Sequence, residues 1–243
     1  MDDVLPHVSI VIPAYNAADR ITTALDSALA ETYPAANMEV IVVDDGSEDD
    51  TAAVARRYLY DVPMSSRVLT VENGGPSRAR NIGWTAAEGD WIQFLDDDDR
   101  IAPKKIETQI RDAKERSEKV AVVHSDWKRM SRNEEGSWAG TEIVRPRINE
   151  DEPLIDLLSS EGFIHLGSAL FRREWLEGLG GFDERYWLVE DVHLMLRIAM
   201  AGGGFEHVPS EKPLFFYRNR GEASLSGRSR EKFARACARN ARL

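Results

Sequence analysis

Short apolar runs alternate with helical periodicity through the first half of the sequence, and this alternation limits the fold more than any other feature. Between the runs, apolar residues recur at three- and four-residue spacing, which is typical of amphipathic helices. Strands joined by such helices pair in parallel through right-handed crossovers, with helices on both faces of the sheet. The sequence therefore predicts an α/β fold. The strand-sized runs cover residues 8–12, 38–43, 67–71, 91–95 and 120–124.

The ends of the first predicted strand and helix follow from two residues. Pro13 has no N–H to donate, so we expect it to end the first strand. Asn16 is a residue type that commonly caps helices, and apolar residues at helical spacing follow it. We therefore expect the first helix to begin directly after Asn16.

The second half of the chain is less regular. No linker rich in Pro, Gly or Ser divides it from the first half, so we predict one domain over residues 1–226 and a basic tail at 227–243. The elements predicted after the first half are a polar hairpin, a short helix, a strand, a helix and a late strand, at residues 127–144, 154–158, 168–172, 192–199 and 212–218.

Composition excludes several classes of protein. Of 243 residues, 42 % are hydrophobic and 30 % are charged, as in a globular domain with a buried core and not in a disordered, collagenous or coiled-coil chain. The net charge of -11 opposes binding to nucleic acid, and a phosphate-bearing ligand would need a divalent cation between itself and the carboxylates. A single cysteine and the lack of apolar runs of membrane-spanning length favour a cytoplasmic location.

Acidic residues follow two of the predicted strands at their carboxyl ends. Asp44 and Asp45 come after the second strand, and residues 96–99, all aspartate, come after the fourth. Ligands of open parallel sheets bind beyond these ends. Adjacent carboxylates raise one another's pKa unless a cation neutralises them, and hard oxygen ligands favour Mg²⁺ or Mn²⁺. The sequence therefore predicts a divalent cation site at this sheet edge, with a solvated acidic turn as the alternative.

Two further segments carry groups suited to a phosphate ligand or a proton transfer. Residues 73–81 combine a Gly-Gly turn with Arg78 and Arg80 at the start of a helix, which suits a diphosphate but also occurs as a plain turn with surface arginines. Glu190 and Asp191 begin a later helix. The helix dipole keeps a carboxylate there ionised and able to accept a proton, although both residue types also serve as helix caps.

Taken in order along residues 8–226, these segments resemble the family two glycosyltransferases. The resemblance implies the GT-A fold, with a mixed, mainly parallel central sheet and helices on both faces. It also implies a Rossmann-like nucleotide-binding half at residues 1–125 and an acceptor-binding half at 126–226. The matching segments are Val-Ser-Ile-Val-Ile-Pro-Ala-Tyr-Asn at 8–16, Val-Val-Asp-Asp-Gly-Ser at 42–47, Ser-Arg-Ala-Arg-Asn-Ile-Gly at 77–83, Phe-Leu-Asp-Asp-Asp-Asp at 94–99, Gly-Gly-Phe-Asp-Glu at 180–184, Glu-Asp at 190–191 with Leu194 and Arg197, and Tyr-Arg at 217–218.

The resemblance implies donor-binding roles for residues of the first half. Pro13, Tyr15 and Asp45 would hold the nucleotide base, with Asp45 accepting a hydrogen bond from a base N–H, and Asn16 belongs to the same group. Arg80 would lie near the diphosphate or the sugar of the donor. The donor would be a UDP-, dTDP- or GDP-sugar, and the sequence does not distinguish among these.

The matched acidic residues imply the metal and the chemistry. Asp96 and Asp98 match the Asp-x-Asp motif: Asp98 would bind Mn²⁺ or Mg²⁺ directly, and Asp96 would contribute to the metal site and lie near the ribose. Asp97, in the middle of the motif, is grouped with the donor-binding residues and leaves open whether a third carboxylate touches the metal or faces solvent. Asp191 matches the catalytic base, and Glu190 would bind or orient the acceptor. The implied reaction is inverting sugar transfer by single displacement, assisted by the metal.

The acceptor and the alternatives complete the sequence-based hypothesis. The acceptor would be a glycan or a lipid-linked saccharide, with residues 127–152 and 161–168 as walls of its site and His165 near it. The stretch 228–243 carries six basic residues and one acid; a solvated helix or frayed end is the simpler interpretation, and peripheral contact with the inner face of a membrane is the alternative. Nucleotidyl transfer, or a glycan- or nucleotide-binding module without catalysis, are the other candidate functions.

Overall fold

The computed structural model describes residues 5–113, 119–149, 153–157 and 162–220. The strands are β1 (Val8–Ala14), β2 (Met38–Asp44), β3 (Ser65–Thr70), β4 (Trp91–Phe94), β5 (Arg100–Ile101), β6 (Val120–Ser125), β7 (Trp127–Arg132), β8 (Trp138–Val144), β9 (Ala169–Arg172), β10 (Gly204–Val208) and β11 (Phe215–Arg218). The helices are α1 (Ile21–Leu29), α2 (Thr51–Tyr58), α3 (Pro76–Ala86), α4 (Lys105–Ala113), α5 (Pro153–Leu157), α6 (Arg173–Leu179) and α7 (Glu190–Met200).

A seven-stranded sheet in the order β10-β6-β9-β4-β1-β2-β3 forms the centre of the fold. Its pairs are parallel except those of β9, which runs antiparallel between β4 and β6. A second sheet, in the order β5-β11-β7-β8, contains the predicted polar hairpin as β7 and β8. The predicted mixed, mainly parallel α/β sheet is therefore confirmed.

Helices cover both faces of the central sheet, as predicted. Alternate residues of β1 face opposite sides: Ile10 and Ile12 pack with α1, α2 and α4, whereas Val11 packs with α3, α6 and α7. Every residue of β1 and of β2 is buried for this reason. The strands of the first half consequently read as continuous apolar runs, without the alternation of a half-exposed sheet.

The prediction that Pro13 ends the first strand is wrong, because β1 continues to Ala14. The carbonyl of Val11 faces β4 and accepts from the N–H of Leu95 at 3.0 Å. The backbone nitrogen of Pro13, two residues further along, points toward the same neighbouring strand. Pairing with β4 ends at Val11, where Phe94 is the partner, so the missing N–H of Pro13 removes no ladder hydrogen bond.

The prediction that Asn16 caps the first helix is also wrong. α1 begins at Ile21, and Arg20 occupies the N-cap position. Asn16 adopts a left-handed conformation with φ 47°, and its side-chain oxygen accepts from the N–H of Glu48 at 2.8 Å. Its amide N–H donates to Ser47 Oγ at 2.9 Å, so Asn16 connects the β1–α1 loop to the β2–α2 loop.

Several features of the second half were not predicted. The elements α6 and β10 were missed, as was the short β5 of the first half, and β9 was predicted as a strand without its antiparallel direction. The tail at 227–243 and residues 158–161 lie outside the described residues, and so do the predictions made for them. In the part of the chain that the structure describes, no helix has the length and hydropathy needed to span a membrane.

Gly83 brings α3 into direct contact with the sheet, and we expect its substitution by alanine to destabilise the fold. A Cβ at position 83 would lie 2.3 Å from Val11 Cγ1 and 3.2 Å from Val43 Cγ2, both on stiff β-branched side chains of the core. Overpacking of this kind lowers the free energy of unfolding by about 1–3 kcal/mol. Urea denaturation of Gly83→Ala measures the loss.

The matched control is Gly178→Ala in α6, where a Cβ would meet no atom of the described residues within 4 Å. Alanine is the better helix former by about 1 kcal/mol, so this variant should be as stable as the parent or slightly more stable. Equal stability of the two variants would contradict a tight contact at Gly83.

Candidate active site

The carboxyl ends of β1, β2 and β4 meet at one edge of the central sheet. The N–H of Asp45 donates to the carbonyl of Ala14 at 2.8 Å, which joins the ends of β1 and β2. Pro13 is buried in β1, whereas Tyr15 lies directly beyond it with 45 % of its side chain exposed. The loops that follow these strands carry the predicted donor-binding and acidic residues, so the fold gathers them at this edge.

Asp45 is buried in a turn formed by residues 73–75. Its carboxylate accepts from the N–H of Gly74 at 2.9 Å and of Gly75 at 2.8 Å, and Asn73 Nδ2 lies 3.3 Å away. Burial raises the pKa of Asp45 even though the two backbone N–H groups favour the charged form. A carboxylate offers about four lone-pair sites, so Asp45 retains capacity to accept from a ligand.

Arg80 joins the acidic segment after β4 to the start of α7. It lies on α3, donates from Nη2 to Asp96 at 2.7 Å and from Nη1 to Glu190 at 2.6 Å, and is almost fully buried. Burial favours the neutral form of Asp96, but the charge and hydrogen bond of Arg80 outweigh it and lower the pKa of Asp96. Residues separated by more than one hundred positions are thus brought into one charged cluster.

Asp97 pairs with Arg20 and does not face solvent. Arg20 Nε lies 2.8 Å from one carboxylate oxygen, and Nη2 lies 3.1 Å from the other. Arg20 was not predicted as a site residue, because no local sequence pattern identifies a partner 77 positions away from Asp97.

Asp98 and Asp99 carry more negative charge than their surroundings neutralise. Burial, together with the charges of Asp97 and Asp96, raises the pKa of Asp98 to about 7, although Arg220 lies 3.3 Å away. Asp99 is fully buried; one oxygen accepts from the N–H of Arg218 at 2.7 Å, and the other has no hydrogen-bond partner among the described residues.

The residues that the structure describes do not by themselves form a complete metal site. Within them, no three His, Cys, Asp or Glu side chains are arranged to hold a metal ion. Mg²⁺ and similar ions are commonly bound by one or two carboxylates together with substrate phosphates and water, an arrangement that requires the substrate. Asp98 and Asp96 lie on one short segment and fit this smaller donor set.

Asp191 lies in the first turn of α7, beside the Arg80 cluster. Burial, and then the charge of Glu190, raise the pKa of Asp191 to about 7. The charge of Asp96 acts in the same direction, so the end of β4 and the start of α7 share one electrostatic environment. Val189, the N-cap of α7, has a φ of 58°, which is strained for a β-branched residue.

The start of α7 is also held against the segment at 73–81, which the sequence offered as a diphosphate site. Ser77 Oγ donates to the carbonyl of Tyr186 at 2.6 Å. Trp187, with 53 % of its side chain exposed, packs against Gly75, where a Cβ would lie 2.8 Å from the indole. Gly75 has a φ of 88°, so both the close contact and the backbone conformation favour glycine.

His165 belongs to an aromatic cluster with Trp127, Phe215 and Tyr217. Its ring centroid lies 4.7 Å from those of Phe215 and Tyr217, and 5.4 Å from that of Trp127. Burial lowers the pKa of His165 to about 4, so the ring is neutral at physiological pH. Its Nδ1 accepts from the N–H of Gly167 at 3.3 Å, which fixes the turn before β9.

Comparison with known proteins identifies a family and a fold. The family model described as Glycosyl transferase family 2 matches residues 9–180. The succinoglycan biosynthesis protein ExoO of Rhizobium meliloti is 32 % identical over 231 residues, which is 92 % of this chain and 64 % of that protein. This chain spans about a quarter to two thirds of the length of the first curated relatives it matches.

Two solved structures share the fold at low sequence identity. The crystal structure of S. aureus TarS 1-349 in complex with UDP-GlcNAc has a TM-score of 0.70 and 22 % identity, covering 96 % of this chain and 66 % of that one. The mannosyltransferase PcManGT from Pyrobaculum calidifontis, in complex with GDP-Man and Mn²⁺, has a TM-score of 0.67 and 24 % identity, covering 88 % and 57 %. The chain therefore has the GT-A fold and belongs to glycosyl transferase family 2.

Proposed function

We propose that this protein transfers a sugar from a nucleoside diphosphate sugar to an acceptor hydroxyl with inversion at the anomeric carbon. The observation that carries the proposal is the Arg80 bridge, with Asp96 at 2.7 Å and Glu190 at 2.6 Å. It holds the acidic segment after β4 beside the start of α7. A donor bound at the acidic segment would therefore be within reach of Asp191 as the proton-accepting base.

The donor would bind across the ends of β1, β2 and β4. Pro13, Tyr15, Asn16 and Asp45 surround the position proposed for the base, and the exposed face of Tyr15 offers a surface for stacking. UDP-GlcNAc bound to TarS and GDP-Man bound to PcManGT support a nucleotide sugar as the donor class. Arg80 is neutralised by two carboxylates, so it would act on the diphosphate mainly by positioning Asp96.

A divalent cation would be held by Asp98, with Asp96 contributing. The residues fit such an ion, because Asp98 has a pKa raised to about 7 and the buried Oδ2 of Asp99 has no partner among the described residues. Excess negative charge of this kind is relieved by a cation. When bound, Mn²⁺ or Mg²⁺ would stabilise the charge that develops on the departing diphosphate. The Mn²⁺ bound to PcManGT supports this assignment.

Asp191 would accept the proton of the acceptor hydroxyl as that oxygen attacks the anomeric carbon. A base poised near the working pH is the most effective, and the pKa of Asp191 is raised to about 7. Glu190, fixed by Arg80, would orient the acceptor beside it. The strained backbone at Val189 supports a functional constraint at this position.

The acceptor would be a glycan or a lipid-linked saccharide. Trp187, which is 53 % exposed and lies three residues before Glu190, offers an aromatic face of the kind that stacks on sugar rings. The role of ExoO in succinoglycan biosynthesis supports a saccharide acceptor. Asp96, Asp98 and Asp191 together support catalysis over a binding module without activity.

We expect Asp191→Asn to lower the rate of sugar transfer by about 10²–10⁴-fold, because the amide cannot accept a proton. Donor affinity should stay within about threefold of the parent, since the residue acts on the acceptor. The measurement is release of nucleoside diphosphate from UDP-, dTDP- and GDP-sugars in the presence of glycan acceptors. Asp50→Asn, at the exposed start of α2, is the matched control and should keep parental turnover.

The outcomes of this assay separate the candidate functions. Turnover of Asp191→Asn within threefold of the parent would remove that residue from the role of base. A parent that binds nucleotides but forms no product with any of these sugars would be a binding module.

The pH dependence of kcat/KM should show an acid limb near pH 7. Asp191 has a raised pKa, so below about pH 7 it holds a proton and cannot act as a base, and the rate falls about tenfold per pH unit. Glu190→Gln removes the like charge that raises this pKa, so the limb should move to lower pH. Both pH profiles are recorded at saturating Mn²⁺, so that titration of the acidic segment does not contribute to the difference between the parent and Glu190→Gln. A limb at the same pH in both proteins would contradict the assignment.

Nucleotide binding should depend on the cation through Asp98. Ligand at 100 times its Kd adds about 2.7 kcal/mol of stability, and each kcal/mol raises Tm by about 2–4 °C in a chain of this size. We expect UDP or GDP with Mn²⁺ to raise Tm by about 5 °C or more, and Asp98→Asn to lose the Mn²⁺-dependent part. The exposed Asp50→Asn variant should keep it. An unchanged metal-dependent shift in Asp98→Asn would overturn this site.

A further inference from the structure

We infer that Arg20 is a positioning residue that holds the loop at 15–20 against the loop at 95–99 through Asp97. We call these the base loop and the cation loop, after the parts of the donor proposed to bind there. The inference rests on the proposed function for its effect on ligands, whereas the contact between the loops stands on geometry alone. It assigns Asp97 to the support of the site and not to direct contact with metal or nucleotide.

Arg20 uses its planar donor group in two directions at once. Nε and Nη2 bind the two oxygens of Asp97 at 2.8 and 3.1 Å. Nη1 donates to the carbonyl of Asn16 at 2.5 Å, and Nη2 donates to the carbonyl of Tyr15 at 3.0 Å. A single side chain therefore binds the carboxylate of the cation loop and the backbone of the base loop.

Both oxygens of the Asp97 carboxylate are bound by Arg20 of the base loop. With both oxygens held by Arg20, the carboxylate has its charge compensated by a partner of fixed geometry. A cation that took Asp97 as a ligand would have to break this bidentate pair, whereas the ion pair that the described residues give Asp98 is the longer one with Arg220, at 3.3 Å.

The Arg20–Asp97 pair is sufficiently shielded from solvent to contribute to the stability of the contact between the two loops. The side chain of Arg20 is 18 % exposed and that of Asp97 is 14 % exposed, so screening by water and salt is weaker than at the surface. Bidentate arginine–carboxylate pairs combine charge with a fixed geometry that lysine cannot reproduce. Removing Arg20 would leave the partly buried charge of Asp97 without an ion-pair partner among the described residues. Removing Asp97 would leave Arg20 only the exposed carboxylate of Asp19, at 3.1 Å.

The base loop is in turn attached to the loop after β2. Asn16 donates its N–H to Ser47 Oγ at 2.9 Å and accepts from the N–H of Glu48 at 2.8 Å. The Arg20–Asp97 pair therefore extends this connection from the β2–α2 loop to the cation loop. A nucleotide whose nucleobase binds the base loop and whose phosphates bind the cation at the cation loop would depend on the distance that Arg20 maintains between the two loops.

The first experiment follows amide hydrogen exchange of the whole protein without ligand. We expect Arg20→Gln to raise exchange by about tenfold or more in both the base loop and the cation loop, because each loses the contact that holds it. Exchange over Glu190–Met200, which Arg80 braces, should not change. The control is Arg57→Gln, at an exposed arginine on α2, with parental exchange throughout. An increase in one loop alone, or in neither, would overturn the inference.

The second experiment is a double-mutant cycle on the affinity for UDP and for GDP at saturating Mn²⁺. We expect Arg20→Gln and Asp97→Asn each to raise Kd by about tenfold, in the range of coupling between residues in contact. The double variant replaces the charged pair by two amides without a lone charge, so its Kd should return to within about threefold of the parent. If Asp97 contacted the cation or the nucleotide directly, the double variant would bind more weakly than Arg20→Gln, which would overturn the inference.

Arg20→Lys covers the case in which Arg20→Gln does not fold. Lysine keeps the positive charge but lacks the planar guanidinium that binds both carboxylate oxygens. The Kd of Arg20→Lys should therefore lie between those of the parent and Asp97→Asn, and amide exchange should be faster than in the parent in both loops. Parental exchange and affinity in this variant would overturn the inference. A parent that binds neither UDP nor GDP would count against the proposed donor class, while the exchange experiment would still decide the role of Arg20.

Discussion

Four consecutive aspartates follow a buried strand, and the repulsion among their carboxylates is the main constraint on the structure at this edge of the sheet. Carboxylates so close together repel one another and cannot all remain ionised without positive partners. The chain provides a different partner for each: Arg80 for Asp96, Arg20 for Asp97, Arg220 for Asp98 and a backbone N–H for Asp99. These partners come from different elements, so pairing the aspartates also draws those elements together, although the pKa values of Asp98 and Asp99 remain raised.

The two most buried partners place the site at the junction of three segments. Arg20 connects the acidic segment to the loop after β1, and Arg80 connects it to the start of α7. Breaking either pair leaves a charge partly removed from water, which costs far more than the loss of an exposed ion pair. The geometry among these three segments is consequently maintained by two largely buried guanidinium groups.

The sequence predicted the central strands and most helices because both sheet faces are covered, which leaves continuous apolar runs between amphipathic helices. It did not predict that β9 inserts in the reverse direction between β4 and β6, because a short apolar strand carries no sign of its direction. The aspartates at the carboxyl ends of the strands could also be identified from the sequence. Their ion-pair partners could not: Arg20 and Asp97 are 77 positions apart, and such a pair forms only when the tertiary structure brings the two residues together.

The unequal treatment of neighbouring aspartates explains how one carboxylate can be selected for a cation. Asp96 is kept ionised by a buried guanidinium that lowers its pKa, and Asp97 has both oxygens held. Burial and the charges of Asp97 and Asp96 raise the pKa of Asp98, and its ion-pair partner among the described residues is Arg220, at 3.3 Å. In the proposed donor complex, a divalent ion at Asp98 would relieve this repulsion and displace little. Such a preference would arise from how the neighbouring aspartates are held, because all four side chains are chemically identical.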